Sequence, residues 1–111
     1  MSKKSKIENF DPNGVGLNNG HFIGLPFEEK DASLVVISVP WDVTVSYGRG
    51  TAYGPSNILK CSTQLDLFHP EIPDAWKMGL YVRPSDPDWI QRNKSLNEKA
   101  RFFIEEPCFF I

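Results

Sequence analysis

Histidine and cysteine are scarce: two of each in 111 residues. Cys61 and Cys108 are too few for a disulfide framework, and the chain start lacks the apolar core of a signal peptide. A secreted disulfide scaffold is excluded on that basis, and a reducing cytoplasmic setting is expected. No His-x-x-x-His, Cys-x-x-Cys or Asp-x-His-x-Asp occurs, so no metal-binding motif stands complete. Positive charge is not in excess either, the net charge being −2. Readers of nucleic acid carry a basic face, so no nucleic-acid partner is expected. Only Lys3, Lys4 and Lys6 cluster, as a short solubilising tail. No apolar run approaches the roughly 18–20 residues of a membrane span, so no membrane partner is expected. What remains is a chain with 41% hydrophobic and 13% aromatic residues, which fits one small folded domain rather than a disordered segment.

Residues 1–33 are polar and rich in turns, with Asp11-Pro12-Asn13-Gly14 and Asn18-Asn19-Gly20 as the clearest signals. Disorder is expected in the first ten residues. After them comes an extended arm that docks large side chains such as Phe22, Leu25 and Phe27 onto a body or a neighbouring subunit. The body starts at Ser33. Leu34-Val35-Val36-Ile37-Ser38-Val39 is a β-branched run closed by Pro40, which predicts a strand buried on both faces. Residues 40–54 form a polar, glycine-containing loop of the kind that carries sites at strand ends in α/β folds.

Gly54-Pro55 predicts a helix entry, with Ile58, Cys61 or Ser62, Leu65 and Phe68 as an apolar stripe of about three turns ended by His69-Pro70. Trp76 to Val82 predicts a second strand. Asp86-Pro87-Asp88 predicts another helix start with Asp86 as the cap, and Asp88 pairs with Arg92 one turn on. Trp89, Asn93, Leu96, Ala100 and Phe103 give that helix its inward stripe, and Glu105-Glu106-Pro107 breaks it. This alternation is that of an α/β protein with a parallel sheet. Four apolar residues, Cys108 to Ile111, follow the break, and truncation of a longer protein is the expectation they raise.

Individual side chains have plain roles available. Gly48, Gly50 and Gly54 do not match a G-x-G-x-x-G or a phosphate loop, which leaves a small nucleotide-binding protein without its central feature. His69 suits a helix cap or a surface position, His21 a packing or hydrogen-bonding role, and Cys61 a small buried apolar position. Asp42 and Arg49 flank the loop, where orienting a ligand competes with an Asx-turn for Asp42 and a salt bridge for Arg49.

Val39-Pro40-Trp41-Asp42, Ser46-Tyr47-Gly48-Arg49-Gly50-Thr51-Ala52-Tyr53-Gly54-Pro55, Ile58-Leu59, Ser62 and Gln64-Leu65-Asp66, in this order and spacing, resemble the N-terminal part of the ureohydrolase superfamily of arginases and agmatinases. Residues 34–68 carry the resemblance, and 76–104 carry it loosely. The resemblance implies a partial three-layer α/β/α fold with a parallel sheet, truncated after the first two strand–helix units. On this division, 1–33 is the arm and 34–111 the N-terminal part of the α/β domain. It further implies hydrolysis of a guanidino or amidino C–N bond in the full-length family at a centre of two manganese or nickel ions. A guanidinium is a poor electrophile, and two metals supply the hydroxide it needs by acidifying a bridging water. The family's ligands lie in segments beyond the matched region, so no catalytic residue and no metal ligand transfers to this chain, and no ions are expected in it alone. Asp42, Ser46, Tyr47 and Arg49 are the candidates for a substrate loop, as positioning residues. A guanidino small molecule and a homo-oligomer are the partners implied for a complete member. The reading from a different class is a non-enzymatic α/β interaction module.

Overall fold

The structure, a computed structural model, describes residues 1–105. It is an α/β arrangement of α1 (Lys3–Asn9), β1 (Leu34–Ile37), α2 (Gly54–Cys61), β2 (Leu80–Arg83) and α3 (Pro87–Glu105), with short 3-10 turns between them. The chain divides into two compact units, one formed by Met1–Ile37 with Ser56–Pro84 and the other by Ser38–Pro55 with Ser85–Ile111.

The first unit holds the sheet. β1 and β2 pair in parallel, with Leu34 opposite Leu80 and Ile37 opposite Arg83. Contrary to the expectation of a strand buried on both faces, Leu34, Val36 and Ile37 are exposed, because β1 has a single strand neighbour among the described residues. The second strand is also shorter than expected. Ala75–Met78 forms a 3-10 turn, and Gly79 at φ 81°, a conformation that favours glycine, delays the strand to Leu80.

The core of this unit is Leu25, Phe27 and Trp76, so the N-terminal region contributes its most deeply buried side chains. Phe10 and Phe27 meet the Trp76 ring at centroid distances of 5.1 and 6.3 Å. Ile7 and Phe10 pack against that core, which is why the first ten residues are ordered where disorder was expected. Ser2 caps α1 by accepting a hydrogen bond from the Ser5 N–H. The basic cluster is not a solvated tail either. Lys6 reaches Asp31 at 2.6 Å, with only 12% and 8% of the two side chains exposed, and it holds the Asp31 carboxyl below its ordinary range. Arg83 bridges to Glu29 and lowers that carboxyl in the same way.

α2 stops earlier than its apolar stripe suggests. Ser62 Oγ donates to the Leu59 carbonyl at 2.7 Å and Thr63 Oγ1 to that of Lys60 at 3.4 Å, competing with the helical ladder. The same Ser62 Oγ accepts from the Ile23 N–H at 2.8 Å. Ser62 is therefore the buried residue of the pair, whereas Cys61 is exposed rather than the buried apolar residue expected. Ile58, Leu65 and Phe68 are exposed as well. His69 sits on the surface, where its Nδ1 accepts from the Glu71 N–H, and His21 Nδ1 bonds the Leu25 carbonyl at 3.0 Å.

In the second unit α3 starts as expected. Asp86 Oδ1 accepts from the Asp88 N–H at 2.8 Å, and Arg92 Nε pairs with Asp88 at 2.8 Å. Its inward face matches the expected one only in part. Asn93 of the expected stripe is buried, together with Asn97, whereas Trp89, Leu96 and Phe103 are exposed. The expected helix break at Glu106-Pro107 and the apolar residues Cys108 to Ile111 lie outside the described residues.

Candidate functional site

The loop of residues 40–54 is built around a buried carboxylate. Asp42 is 5% exposed, and its Oδ1 accepts from Asn93 Nδ2 at 3.0 Å and from Asn97 Nδ2 at 2.6 Å. Its Oδ2 accepts from the backbone N–H groups of Gly50 and Ala52 at 3.1 and 3.3 Å. The Asp42 N–H in turn donates to Asn93 Oδ1 at 2.8 Å, so Asn93 grips this residue at both ends. Asparagines four apart share one face of α3, which is how both reach one carboxylate. A charge this deeply removed from water is costly unless its lone pairs are filled, and here four N–H groups fill them. The Asn93 amide first, then Asn97 and the two backbone N–H groups, hold the carboxyl at about 2 against an ordinary 3.8, although burial pulls the other way.

Asp42 therefore does not make the local Asx-turn suggested by its sequence position, because its acceptors serve groups eight, ten and more than fifty residues away. Its effect is to close the loop, drawing Gly50 and Ala52 back to its start. Trp41, next to it, meets Trp89 edge-on at a centroid distance of 5.7 Å. Arg49 Nη2 donates to the Asn97 carbonyl at 3.3 Å, and the salt bridge expected for Arg49 is not found among the described residues.

Of the four candidate residues, Ser46, Tyr47 and Arg49 come together on the outside of the loop, and Asp42 stands apart as their support. They border a pocket of about 240 Å³, floored by Val43 and Val45 and walled by Arg101 and Ile104 of α3. Tyr47 is 96% exposed. Asn97 and Arg101 are participants that the sequence reading did not single out, and Asn93 was expected only as part of the inward stripe of α3. The available signal was the Asn–Asn pair at helical spacing, since asparagine is a poor helix former and two on one face ask for a tertiary partner.

A two-cation centre does not fit these residues. Among the described residues no three His, Cys, Asp or Glu side chains gather as ligands. The one buried carboxylate of the loop has the positive ends of four N–H dipoles directed at it, the reverse of what a cation requires. Also among the described residues, no helix is long and apolar enough to cross a membrane.

Comparison with known proteins covers the same loop and its supports. Residues 32–100 match the arginase family. Over 54 residues the chain is 38% identical to the N(1)-aminopropylagmatine ureohydrolase of Synechocystis sp., a stretch amounting to 47% of this chain and 18% of that relative. The chain thus spans less than a fifth of that relative's length. No solved structure matches it. With a match over more than half its residues, the chain belongs to the arginase family.

Proposed function

We propose that this chain is the N-terminal segment of a ureohydrolase that cleaves a guanidino C–N bond, and that alone it is inactive. The observation that carries this reading is the match over residues 32–100, which includes the 40–54 loop and its α3 support but gathers no ligand set among the described residues. The family is generally metal-dependent, and manganese or nickel supplied by ligands elsewhere in a full-length protein would provide the nucleophilic hydroxide. In such a protein residues 1–33 act as the packing arm and residues from 34 onward as the first part of the catalytic α/β domain. Asp42 fixes the loop, and Ser46, Tyr47 and Arg49 present polar groups at the active-site mouth or at a contact between copies in a homo-oligomer. The substrate class follows the relative, whose name specifies N(1)-aminopropylagmatine, an extended guanidino compound. A cytoplasmic location completes the reading, in keeping with an exposed, unpaired Cys61.

Two arms test it. The purified chain, incubated with manganese or nickel and with agmatine, N(1)-aminopropylagmatine, arginine or guanidine, is expected to release no urea above background. Release of urea would overturn its inactivity. In the second arm, residues 32–100 replace the matching segment of the Synechocystis relative, and the chimera is expected to keep urea release. A folded, metal-loaded chimera without activity would overturn the assignment to a ureohydrolase scaffold.

A further inference from the structure

We propose that Asn13 is a site of self-modification, where the Asn13-Gly14 step closes to a succinimide and reopens as aspartate or isoaspartate, whereas the fold protects the Asn19-Gly20 step. Both turns of the N-terminal region carry the Asn-Gly pair. Glycine has no side chain to shield its nitrogen from the asparagine before it, so each pair is chemically competent. What separates the two is how firmly the departing amide is held.

The Asn19 side chain is held at both ends. Its Nδ2 donates to the carbonyls of Gly24 and Leu25 at 3.3 and 3.2 Å, and its Oδ1 accepts from the His21 N–H at 3.0 Å. Turning Cγ toward the Gly20 nitrogen breaks all three bonds. The Asn13 side chain is exposed and makes no hydrogen bond among the described residues. Only its backbone N–H is engaged, with Asp11 Oδ1 at 3.0 Å. One obstacle stands in its way, the donation of the Gly14 N–H to the Asp11 carbonyl at 3.2 Å. A single neutral hydrogen bond slows a reaction by up to about tenfold, and three slow it further. Asn13 is therefore the faster site.

In the first step the Gly14 nitrogen loses its proton and bonds to Asn13 Cγ. The bond from Cγ to Nδ2 breaks, and that nitrogen leaves as ammonia, carrying the proton away. Solvent water, the sole co-reactant, then opens the ring. Attack at the side-chain carbonyl gives aspartate, and attack at the backbone carbonyl gives isoaspartate, whose main chain runs through the former side chain and gains a carbon. Both products add a negative charge beside Asp11 and Asp66, which border the same cavity of about 190 Å³. The longer main chain also strains a tight seat. A Cβ on Gly16 would lie 2.0 Å from the Thr63 carbonyl oxygen, so this segment lies flat against residue 63. Isoaspartate at position 13 thus loosens the seat of residues 14–16 on Thr63. None of this rests on the ureohydrolase reading, because neither metal nor guanidino compound enters it.

The test incubates the full 111-residue chain at mildly alkaline pH, folded in one arm and unfolded in guanidinium chloride in the other. After digestion, mass spectrometry follows the peptides holding Asn13 and Asn19 for the mass gained when NH2 is replaced by OH. Hydroxylamine, which cleaves a succinimide, gives a second reading as scission after Asn13. In the folded chain Asn13 is expected to convert at least about tenfold faster than Asn19, and in denaturant the two rates are expected to agree within about threefold. The isoaspartyl fraction, separated by ion exchange, is expected to show faster hydrogen exchange at residues 63–65 than N13D, which carries the same charge on an ordinary main chain. Equal rates at the two sites in the folded chain would overturn the proposal, as would no conversion at Asn13. A tenfold gap that persists in denaturant would overturn it too, by tracing the difference to neighbouring sequence instead of the fold. Equal exchange in the isoaspartyl fraction and N13D would overturn the loosening at Thr63.

Discussion

Asn97 Nδ2 donates to Asp42 Oδ1 across 2.6 Å, joining residues 55 apart in the chain. With Asn93 it makes α3 the support for a loop that would otherwise have to hold a buried charge with its own backbone. Removing one amide leaves a buried carboxylate short of a donor. N93A and N97A are each expected to cost about 1.5–3 kcal/mol in chemical denaturation, the range for hydrogen bonds to a charged group. Hydrogen exchange at Gly50 and Ala52 is expected to quicken in both variants. N93A is the more severe, because Asn93 also accepts from the Asp42 N–H. A loss below about 0.5 kcal/mol in both would show that the loop is held by something else.

The same carboxylate sets a pH dependence. Its depressed value, about 2 against 3.8, means that its contribution to stability is fully present above about 3.8 and disappears as pH falls through about 2. The amide resonances of Gly50 and Ala52 are expected to titrate with a midpoint near 2. A midpoint near 3.8 would contradict the four-donor arrangement.

How much of this was legible beforehand depends on where the burial comes from. β1 and the start of α3 declare themselves through local chemistry, a β-branched run at Leu34–Ile37 and the Asp86-Pro87 cap, and both appear where expected. α1 did not, because its order comes from Ile7 and Phe10 packing on Leu25, Phe27 and Trp76, partners up to about seventy residues away. The stripe of Trp89, Asn93, Leu96, Ala100 and Phe103 was right at Asn93, which is buried, and wrong at Trp89, Leu96 and Phe103, which are exposed. Hydrophobic periodicity weighs apolar side chains, and here a carboxylate outside the helix decides which face turns inward. Asp42, Ser46, Tyr47 and Arg49 were legible as a loop cluster, but the division between one support and three exposed groups was not.

Ser62 offers a test in the first unit. Its hydroxyl both accepts from Ile23 N–H and donates to the Leu59 carbonyl, and Ile23 occupies the left-handed region at φ 59°. S62A leaves that half-buried N–H without its acceptor and is expected to cost about 1–3 kcal/mol, measured by urea denaturation. S62T retains the hydroxyl and is expected to keep the hydrogen bond, visible as retained exchange protection at Ile23. Equal loss in both variants would trace the effect to packing.

Two glycines separate backbone constraint from open surface. At Gly24, φ is 70° and an added Cβ would lie 2.7 Å from the backbone N and O of Leu17, whereas at Gly48 nothing lies within 4 Å. G24A is expected to lower stability by about 2 kcal/mol or more, and G48A to stay within about 0.5 kcal/mol of the wild type. Comparable losses would remove the close approach of Leu17 as the reason for a glycine at position 24.

The most direct test of the account is the metal content of the purified 111-residue chain, measured by elemental analysis after equilibration with manganese or nickel and gel filtration. The account predicts less than one retained ion per chain, since the described residues hold no ligand cluster and the buried Asp42 is already committed to N–H donors. Two ions retained per folded chain would contradict it.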